Sequence, residues 1–222
     1  MGGKLIVLEG LDGSGKATQT RLLCDGLAAR GWNNLRAVSF PNYGSDSSAL
    51  VRMYLSGAFG ADPDSVNAYA ASSFYAADRY AGYKSDWGAF YDGGGVVIAD
   101  RYTTSNAIHQ CAKLDRDKWD DYLGWLFDYE YNLLGIPAPE LVLYLRVDPA
   151  VSRRLMEARY ESDGRSLDIH ERNLDYLRRS RQAADYCAAR LGWRVIECAP
   201  SGAMRPVEDI QSEIMDNVIR VI

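Results

Sequence analysis

Five short runs of apolar residues recur along the 222-residue chain, and each is continuous rather than alternating with polar positions. Continuous runs are typical of strands that are buried on both faces of a sheet. Segments with helical spacing separate the runs, so the sequence predicts an α/β fold: a five-stranded parallel sheet, joined by right-handed crossovers and covered by helices on both faces. The runs span 4–10, 35–41, 95–101, 141–147 and 193–199.

Local signals mark the ends of several predicted helices. An acidic N-cap followed by a first-turn proline starts a helix, and a glycine in the left-handed conformation ends one. The start signals are Asp62 with Pro63, Asp148 with Pro149, and Pro206, and the stop signals are Gly31 and Gly192.

One charged stretch, 159–171, interrupts two helical segments and contains Asp163 and Gly164. It lacks an apolar stripe that could anchor it to a core. We therefore expect a mobile lid at about 153–170, within a single domain that spans 1–222.

Composition argues against several kinds of partner. The net charge is −5, and an acidic chain without a long basic run is poorly suited to bind nucleic acid. No apolar run approaches the ~18 residues that a membrane span needs, and the N-terminus leads straight into a predicted strand without a signal peptide. The four cysteines form no C-x-x-C pair, which favours reduced thiols and a cytoplasmic location.

The first predicted strand leads into a phosphate-binding loop. Gly10, Gly15 and Lys16 match the pattern G-x-x-x-x-G-K, which a chain of this length would match by chance about once in twenty. The strand before the loop and the amphipathic helix after it favour the functional interpretation, in which backbone N–H groups hold phosphates and Lys16 reaches the β- and γ-phosphates. The predicted ATP-binding residues here are Gly10, Leu11, Asp12, Gly13, Ser14, Gly15, Lys16, Ala17 and Thr18.

Ala17 departs from the pattern, because the residue after the loop lysine normally supplies a hydroxyl to Mg²⁺. Thr18 comes one residue too late, since a helix turns its side chain about 100° away from position 17. Mg²⁺ readily keeps several waters, so ATP phosphates and water can complete its shell. Glu9 and Asp100 end the first and third predicted strands, and we expect them to contact the metal through water.

Other classes of P-loop protein fit less well. A switch GTPase needs a guanine-reading N/T-K-x-D, and the nearest string, AKLD at 112–115, lacks its first residue. Motor and transporter ATPases are usually larger. A small kinase that acts on a nucleotide or a similar metabolite fits both the length and the insert.

Asp100 and Arg101 follow the third apolar run, at the strand edge where open α/β sheets bind ligands. A structural ion pair is the plain interpretation. Because the pair lies beside a phosphate loop, we favour separate functional roles, in which Asp100 faces the Mg²⁺ shell and Arg101 binds the acceptor phosphate. Tyr75 and Arg79 share a helical face at i and i+4 and could hold a flat base, although a core tyrosine with a surface arginine is the commoner arrangement.

Taken in order, these segments resemble the thymidylate kinase family. The resemblance rests on LEGLDGSGKATQ, FPNYG, FYAADRY, ADRYTTSNAIHQ and the late arginine-rich insert, and it extends from about residue 4 to about residue 215. Related nucleoside-monophosphate kinases share only the loop and the general plan. The resemblance implies phosphate transfer from ATP to dTMP with Mg²⁺, small-molecule nucleotides as ligands, and a homodimer.

The resemblance also implies roles for particular residues. Asp12 would face the 3′-hydroxyl of the sugar, Tyr75 would stack on thymine, and Arg79 would contact the base at O4. The residues against adenine would be Arg154, Ala199 and Pro200. The substrate-binding set would be Asp12, Phe40, Pro41, Tyr75, Arg79, Arg101, His109 and Gln110, and the catalytic set Lys16, Asp100, Arg101, Arg159 and Arg165.

Three positions depart from the family pattern. Ala17 replaces the hydroxyl residue, Tyr43 stands where some members carry a phosphate-binding arginine, and His109 stands where many have tyrosine or phenylalanine under the sugar. Members without an arginine in the loop place the catalytic arginine in the lid, which makes Arg159 and Arg165 the candidates.

Two alternatives stay open. One is a kinase for another nucleoside monophosphate or for a deoxynucleoside. The other is a nucleotide-binding regulator that has lost catalysis, which only Ala17 supports. Turnover with ATP and dTMP separates these alternatives from a thymidylate kinase.

Overall fold

A computed structural model describes residues 2–155 and 168–222, and it confirms the predicted α/β fold. Each predicted apolar run contains one strand of the sheet. The strands are β1 (Lys4–Glu9), β2 (Leu35–Ser39), β3 (Val96–Asp100), β4 (Leu141–Arg146) and β5 (Arg194–Glu197). All neighbouring strands are parallel, in the order β2-β3-β1-β4-β5.

Helices connect the strands. The α-helices are α1 (Lys16–Ala28), α2 (Ala49–Leu55), α3 (Ala68–Gly82), α4 (Gly88–Asp92), α5 (Thr103–Cys111), α6 (Trp119–Phe127), α7 (149–155 in its described part), α8 (Ile169–Arg172), α9 (Leu174–Leu191) and α10 (Val207–Ile219). Short 3₁₀ turns lie at Asp46–Ser48, Pro63–Ser65 and Arg116–Lys118, and wider π-helical turns at Tyr83–Trp87 and Asp128–Leu133.

Side chains of β1 alternate between two cores, one on each face of the sheet. Ile6 and Leu8 pack with α1 and α10 on one face. Leu5 and Val7 pack on the opposite face with Trp87 and other aromatic residues. Burial on both faces explains why the strand sequences are continuously apolar.

Most of the predicted helix start and stop signals lie at the ends of helices in the structure. The Asp148 carboxylate accepts a hydrogen bond from the Ala150 backbone N–H at 2.9 Å, at the start of α7. Gly192 ends α9 with φ 71°. Pro206 lies one position before α10, while Asp62 with Pro63 opens only a 3₁₀ turn.

The C-terminal end of the stretch that was expected to be mobile forms a short capped helix. The Asp168 side chain accepts hydrogen bonds from the His170 and Glu171 backbone N–H groups, and the Glu171 carboxylate accepts one from the Asp168 backbone N–H, so a capping box starts α8. Ile169 and His170 are buried. Residues 168–171 are therefore anchored to the core, and 156–167 lie outside the described residues.

The strand order determines where a ligand can bind. β1 is central, with β3 on one side and β4 on the other. The later strands are added on both sides of β1, so a crevice forms at the carboxyl ends of β1 and its two neighbours. None of the helices within the described ranges is long and apolar enough to span a membrane.

Candidate active site

The segment after β1 forms a loop whose glycines have backbone angles that other residues rarely adopt. Gly13 has φ 77°, and Gly15 has φ 89° at the N-cap of α1. The N-terminal N–H groups of α1 therefore begin directly at the loop, where they favour an anion. A cavity of about 220 Å³, called the loop cavity here, is lined by Asp12, Gly13, Gly15, Lys16, Ala17, Thr18, Ser39, Phe40, Pro41, Tyr43, Asp100 and Arg101.

Lys16 lies in this cavity with its ammonium held by the loop. Its Nζ donates to the Leu11 carbonyl at 2.9 Å. Burial and the nearby Arg101 lower the pKa of Lys16 to about 8, against the attraction of Asp12, Asp100 and Glu9. An incoming phosphate would offer this cation a stronger partner than a carbonyl.

Arg101 is fixed at the border of the loop cavity in a strained backbone conformation. Its φ is 69°, which makes it the one non-glycine residue of the described ranges with a positive φ. Its guanidinium donates to Asp12 Oδ1 at 2.5 Å and to the Gly10 carbonyl at 3.1 Å. Although burial opposes ionisation of Asp12, Arg101 and Lys16 outweigh it and hold the pKa of that carboxyl below its ordinary value.

Glu9 is fully buried and holds the start of α5 against the loop. Its carboxylate accepts hydrogen bonds from Thr104 Oγ1 at 2.6 Å, from Ser105 Oγ at 2.9 Å and from the Gly10 N–H at 2.8 Å. Arg101 lies 3.4 Å from the same carboxylate. Both oxygens are therefore already occupied, so the predicted contact of Glu9 with a metal-bound water finds no support in its hydrogen bonding.

Asp100 differs from Glu9 because its carboxylate receives no hydrogen bond from the described part of the chain. It ends β3, pairs in register with Ser39, and lines the loop cavity beside Ala17 and Thr18. No group of three or more His, Cys, Asp or Glu residues within 2–155 and 168–222 could hold a metal ion. One free carboxylate beside a phosphate cavity fits Mg²⁺ that is carried mainly by substrate phosphates and water.

A larger cavity of about 490 Å³, called the acceptor cavity here, adjoins the loop cavity. All eight residues of the predicted substrate-binding set line it: Asp12, Phe40, Pro41, Tyr75, Arg79, Arg101, His109 and Gln110. Tyr43, Leu55, Tyr102, Ser105, Asn106, Asp168, His170 and Glu171 complete the lining. The two cavities share Asp12, Phe40, Pro41, Tyr43 and Arg101, so ligands in them would meet at these residues.

Arg79 is buried rather than free at the surface. Its Nε and one terminal nitrogen donate to Glu130 at 2.7 and 2.5 Å. Its other terminal nitrogen lies 3.4 Å from the Tyr102 carbonyl, at the limit of a hydrogen bond. This second terminal nitrogen is the part of the Arg79 guanidinium that remains available to a ligand, and the pair with Glu130 orients the guanidinium.

Glu130 and Asn106 are site residues that the sequence interpretation missed. Glu130 lies on a π-helical turn and also accepts a hydrogen bond from Thr103 Oγ1 at 2.7 Å. The Asn106 amide nitrogen donates to Glu130 at 3.3 Å and to the Ser72 carbonyl at 3.2 Å. The side-chain oxygen of Asn106 receives no hydrogen bond within the described ranges, and the residue lines the acceptor cavity. The string SNAIHQ contained Asn106, but nothing local distinguished it from a helical asparagine.

The wall of the acceptor cavity along α5 contains buried polar groups. His109 stacks on His170, with ring centroids 5.7 Å apart and an interplanar angle of 13°. Burial and the nearby Arg101 lower the pKa of His109 to about 3, so its imidazole is neutral. Gln110 is fully buried, and neither its amide nitrogen nor its oxygen has a hydrogen-bond partner in the described ranges.

The predicted adenine-binding residues also come together. Arg154, Ala199 and Pro200 line a cavity of about 730 Å³ between α7 and the loop after β5. The Arg154 guanidinium donates to the Gly202 carbonyl at 3.0 Å, which holds it across this opening. The candidate catalytic residues Arg159 and Arg165 lie outside the described residues.

Comparison with known proteins agrees with this geometry. The sequence model of the family described as thymidylate kinase matches residues 8–214. The thymidylate kinase of Mycobacterium tuberculosis (strain ATCC 25618 / H37Rv) is 32% identical over 191 residues, which cover 85% of this chain and 87% of that protein. The thymidylate kinase of Schizosaccharomyces pombe is 27% identical over 223 residues, covering 99% and 93%.

A solved structure of thymidylate kinase from Candida albicans has the same fold. It matches with a TM-score of 0.68 at 18% identity, over 99% of this chain and 92% of that chain. The family model covers nearly the whole chain, including the loop and the carboxyl ends of the strands that border both cavities. This chain therefore belongs to the thymidylate kinase family of phosphotransferases.

Proposed function

We propose that this kinase transfers the γ-phosphate of ATP to the 5′-phosphate of dTMP where its two cavities meet. The observation that carries the proposal is the shared border of the loop cavity and the acceptor cavity. Arg101 and Asp12 belong to both linings. Phosphates bound in the two cavities would approach each other beside a fixed guanidinium.

ATP would occupy the loop side of this border. Its β- and γ-phosphates would lie at the N-terminus of α1, where Lys16 exchanges the Leu11 carbonyl for a phosphate oxygen. Its adenine would lie in the cavity between Arg154 and Pro200. This orientation leads the triphosphate from the β5 side of the sheet to the loop after β1.

dTMP would occupy the acceptor cavity, with its base away from the loop. Tyr75 would stack on thymine, while the Arg79 nitrogen near the Tyr102 carbonyl donates to a base carbonyl and the Asn106 side-chain oxygen accepts from the base N–H. The sugar would lie between this end and Arg101, which binds the 5′-phosphate. Gln110 would supply a further polar contact, because a buried amide without a partner costs free energy until a ligand or water binds it.

The reaction needs positioning and charge neutralisation more than proton transfer. The phosphate oxygens of a nucleoside monophosphate are largely ionised at neutral pH, so no strong general base is required. Both histidines that line the acceptor cavity, His109 and His170, have pKa values lowered mainly by burial and are neutral, which agrees with this chemistry. Lys16 and Arg101 would stabilise the charge that spreads over the transferred group.

Mg²⁺ would be bound by ATP phosphates and water, with Asp100 accepting a hydrogen bond from a metal-bound water. When bound, it neutralises phosphate charge and polarises the transferred group. Ala17 supplies no oxygen, so water takes the place of a protein hydroxyl. Arg159 and Arg165 are proposed as the arginines that reach the transferred phosphate from the lid, by resemblance to the family.

The chain would act as a cytoplasmic homodimer. All four cysteines are free thiols, which suits a reducing compartment. Apolar side chains are exposed on two neighbouring helices and could form the contact between subunits. They are Leu50 and Met53 on α2 and Tyr69 and Tyr80 on α3.

The test is turnover with ATP and a panel of acceptors. We expect dTDP to form from dTMP at a higher kcat/KM than any product from dGMP, dAMP or thymidine. Lys16→Ala is the control, because it removes the cation at the phosphates, and its circular dichroism spectrum checks that the fold is retained. A preference for thymidine or for another monophosphate would identify a different kinase, and nucleotide binding without turnover would identify a regulator.

A further inference from the structure

Four rings, those of Tyr54, His109, His170 and Tyr176, pack together at the acceptor cavity, and His109 is one of its lining residues. His109 packs against His170, at 5.7 Å, and Tyr176, at 6.0 Å between ring centroids, and these two rings also contact each other at 4.6 Å. His170 in turn contacts Tyr54, whose hydroxyl lies 2.8 Å from its Nε2. The imidazole of His109 therefore has a fixed position and a fixed orientation.

The hydrogen bonds of Tyr176 determine which nitrogen of His109 carries the proton. The Tyr176 hydroxyl donates to the His109 carbonyl at 3.0 Å and lies 3.3 Å from its Nδ1. That carbonyl is in the last turn of α5, where carbonyl groups have no N–H partner within the helix. A hydroxyl has one proton, and the His109 carbonyl accepts it, so we assign the tautomer in which Nδ1 donates to the Tyr176 oxygen.

The opposite nitrogen, Nε2, is consequently a hydrogen-bond acceptor. The ring is neutral because burial and Arg101 depress its pKa, so Nε2 keeps its lone pair at neutral pH. His109 lines the acceptor cavity. Within residues 2–155 and 168–222, Nε2 receives no hydrogen bond, so it is an unoccupied acceptor on a residue that lines the acceptor cavity.

His109 lies beside the part of the cavity that a sugar would fill. It follows Ser105 by one turn of α5, and Ser105 binds Arg101 at the phosphate end. It also follows Asn106, which faces the base end, by three residues. In the dTMP orientation proposed above, with the phosphate at Arg101 and the base at Arg79 and Asn106, the sugar lies along α5 and contacts His109.

A deoxyribose offers no donor at its 2′ position. With dTMP bound, a water would satisfy Nε2. A 2′-hydroxyl can replace that water and reproduce its hydrogen bond, so it gains or loses little affinity. The extra oxygen is small for a cavity of about 490 Å³.

We propose that this kinase also phosphorylates ribonucleoside 5′-monophosphates of thymine and uracil, whose 2′-hydroxyl donates to His109 Nε2. The inference rests on the proposed function. The transfer is the same: an oxygen of the acceptor phosphate bonds to the γ-phosphorus of ATP, the bond to the β-phosphate oxygen breaks, and ADP leaves. Only the sugar of the acceptor differs.

The decisive experiment compares kcat/KM for 5-methyluridine 5′-monophosphate with kcat/KM for dTMP, in the wild type and in His109→Phe. We expect a wild-type ratio of at least about 0.1. Because phenylalanine offers no acceptor, we expect the ratio to fall at least fivefold in the variant, in line with the loss of one hydrogen bond. His109→Gln should retain a higher ratio than His109→Phe, since its amide oxygen is an acceptor.

A second measurement needs no variant. Calorimetric titration of the wild type compares three thymine monophosphates that carry 2′-hydroxyl, 2′-fluoro or 2′-hydrogen. Fluorine cannot donate to Nε2, so the 2′-fluoro ligand should bind at least twofold more weakly than the 2′-hydroxyl ligand.

A wild-type ratio below about 0.1, a smaller fall in His109→Phe, or equal binding of the two 2′-substituted ligands would overturn the inference. These results leave the proposed function intact as long as dTMP is turned over. Failure to turn over dTMP would overturn the proposed function itself.

Discussion

Arg79 and Glu130 form an ion pair in which both side chains are almost fully buried and the closest nitrogen and oxygen are 2.5 Å apart. The pair joins α3 to the π-helical turn after α6. A buried carboxylate needs such a partner, because a charge left alone in the interior is strongly destabilising. Glu130 therefore presents Arg79 to the acceptor cavity, and Arg79 in turn keeps Glu130 neutralised.

Arg79→Ala should affect both stability and dTMP use. Leaving Glu130 unpaired should lower the free energy of unfolding by about 3–5 kcal/mol, measured by urea denaturation. Loss of the base contact should lower kcat/KM for dTMP while the KM for ATP stays near the wild-type value.

Arg36→Ala is the matched control, because its pair with Asp86 is exposed and should change stability by less than about 1 kcal/mol. An equal loss of ATP and dTMP affinity in Arg79→Ala would contradict the assignment of Arg79 to the base.

Gln110→Leu should weaken dTMP use without lowering the stability of the fold. The buried amide has no partner in the described ranges, so an apolar side chain of similar size removes a desolvation cost. We expect the free energy of unfolding to stay equal or rise by about 1 kcal/mol, while kcat/KM for dTMP falls. Lower stability with unchanged dTMP kinetics would mean that Gln110 serves the fold alone.

Asp168→Asn should change how stability depends on pH. Burial raises the pKa of Asp168 from 3.8 to about 7, against the opposing backbone hydrogen bonds. The folded protein thus keeps a proton that the unfolded chain loses near pH 4, and this stabilisation is lost as the pH rises through about 7. Asparagine still caps α8 but does not titrate.

The wild type should therefore lose roughly 1–3 kcal/mol relative to Asp168→Asn between pH 5 and pH 8. Urea denaturation of both proteins at the two pH values measures this difference. A constant difference in unfolding free energy would show that Asp168 titrates as it does in the unfolded chain.

The sequence predicted those parts of the fold and site that depend on local patterns. Continuous apolar runs marked all five strands, because each strand is buried on both faces. The glycine pattern of the phosphate loop identified Gly15, whose backbone has a positive φ. The position at the carboxyl end of β3 identified Asp100 and Arg101. The eight predicted lining residues of the acceptor cavity came from local motifs and family resemblance.

Long-range partners were not predictable in the same way. Glu130 lies 51 residues from Arg79 along the chain, on a wide helical turn that no local pattern announces. Glu9 was expected to contact the metal through water; its oxygens accept hydrogen bonds from the hydroxyls of Thr104 and Ser105 at the start of α5, 95 and 96 residues away. Which carboxylate stays free depends on these tertiary contacts.

The two candidate lid arginines give a further prediction. Arg159→Ala or Arg165→Ala should lower kcat by on the order of 10³ if the residue acts as an arginine finger, with little change in KM for dTMP. Single-turnover kinetics would show whether the loss lies in the chemical step. Unchanged turnover in both variants would assign the role elsewhere, with Arg154 as the next candidate.

The central claim is that the enzyme is an active, Mg²⁺-dependent dTMP kinase although position 17 offers no hydroxyl. The most direct measurement is the rate of dTDP formation as a function of Mg²⁺ concentration in the wild type, Ala17→Ser and Asp100→Asn. We expect an active wild type, a modest change in apparent Mg²⁺ affinity in Ala17→Ser, and a severe loss of kcat in Asp100→Asn. A nearly inactive wild type that Ala17→Ser restores would contradict the claim and identify the chain as a nucleotide-binding regulator.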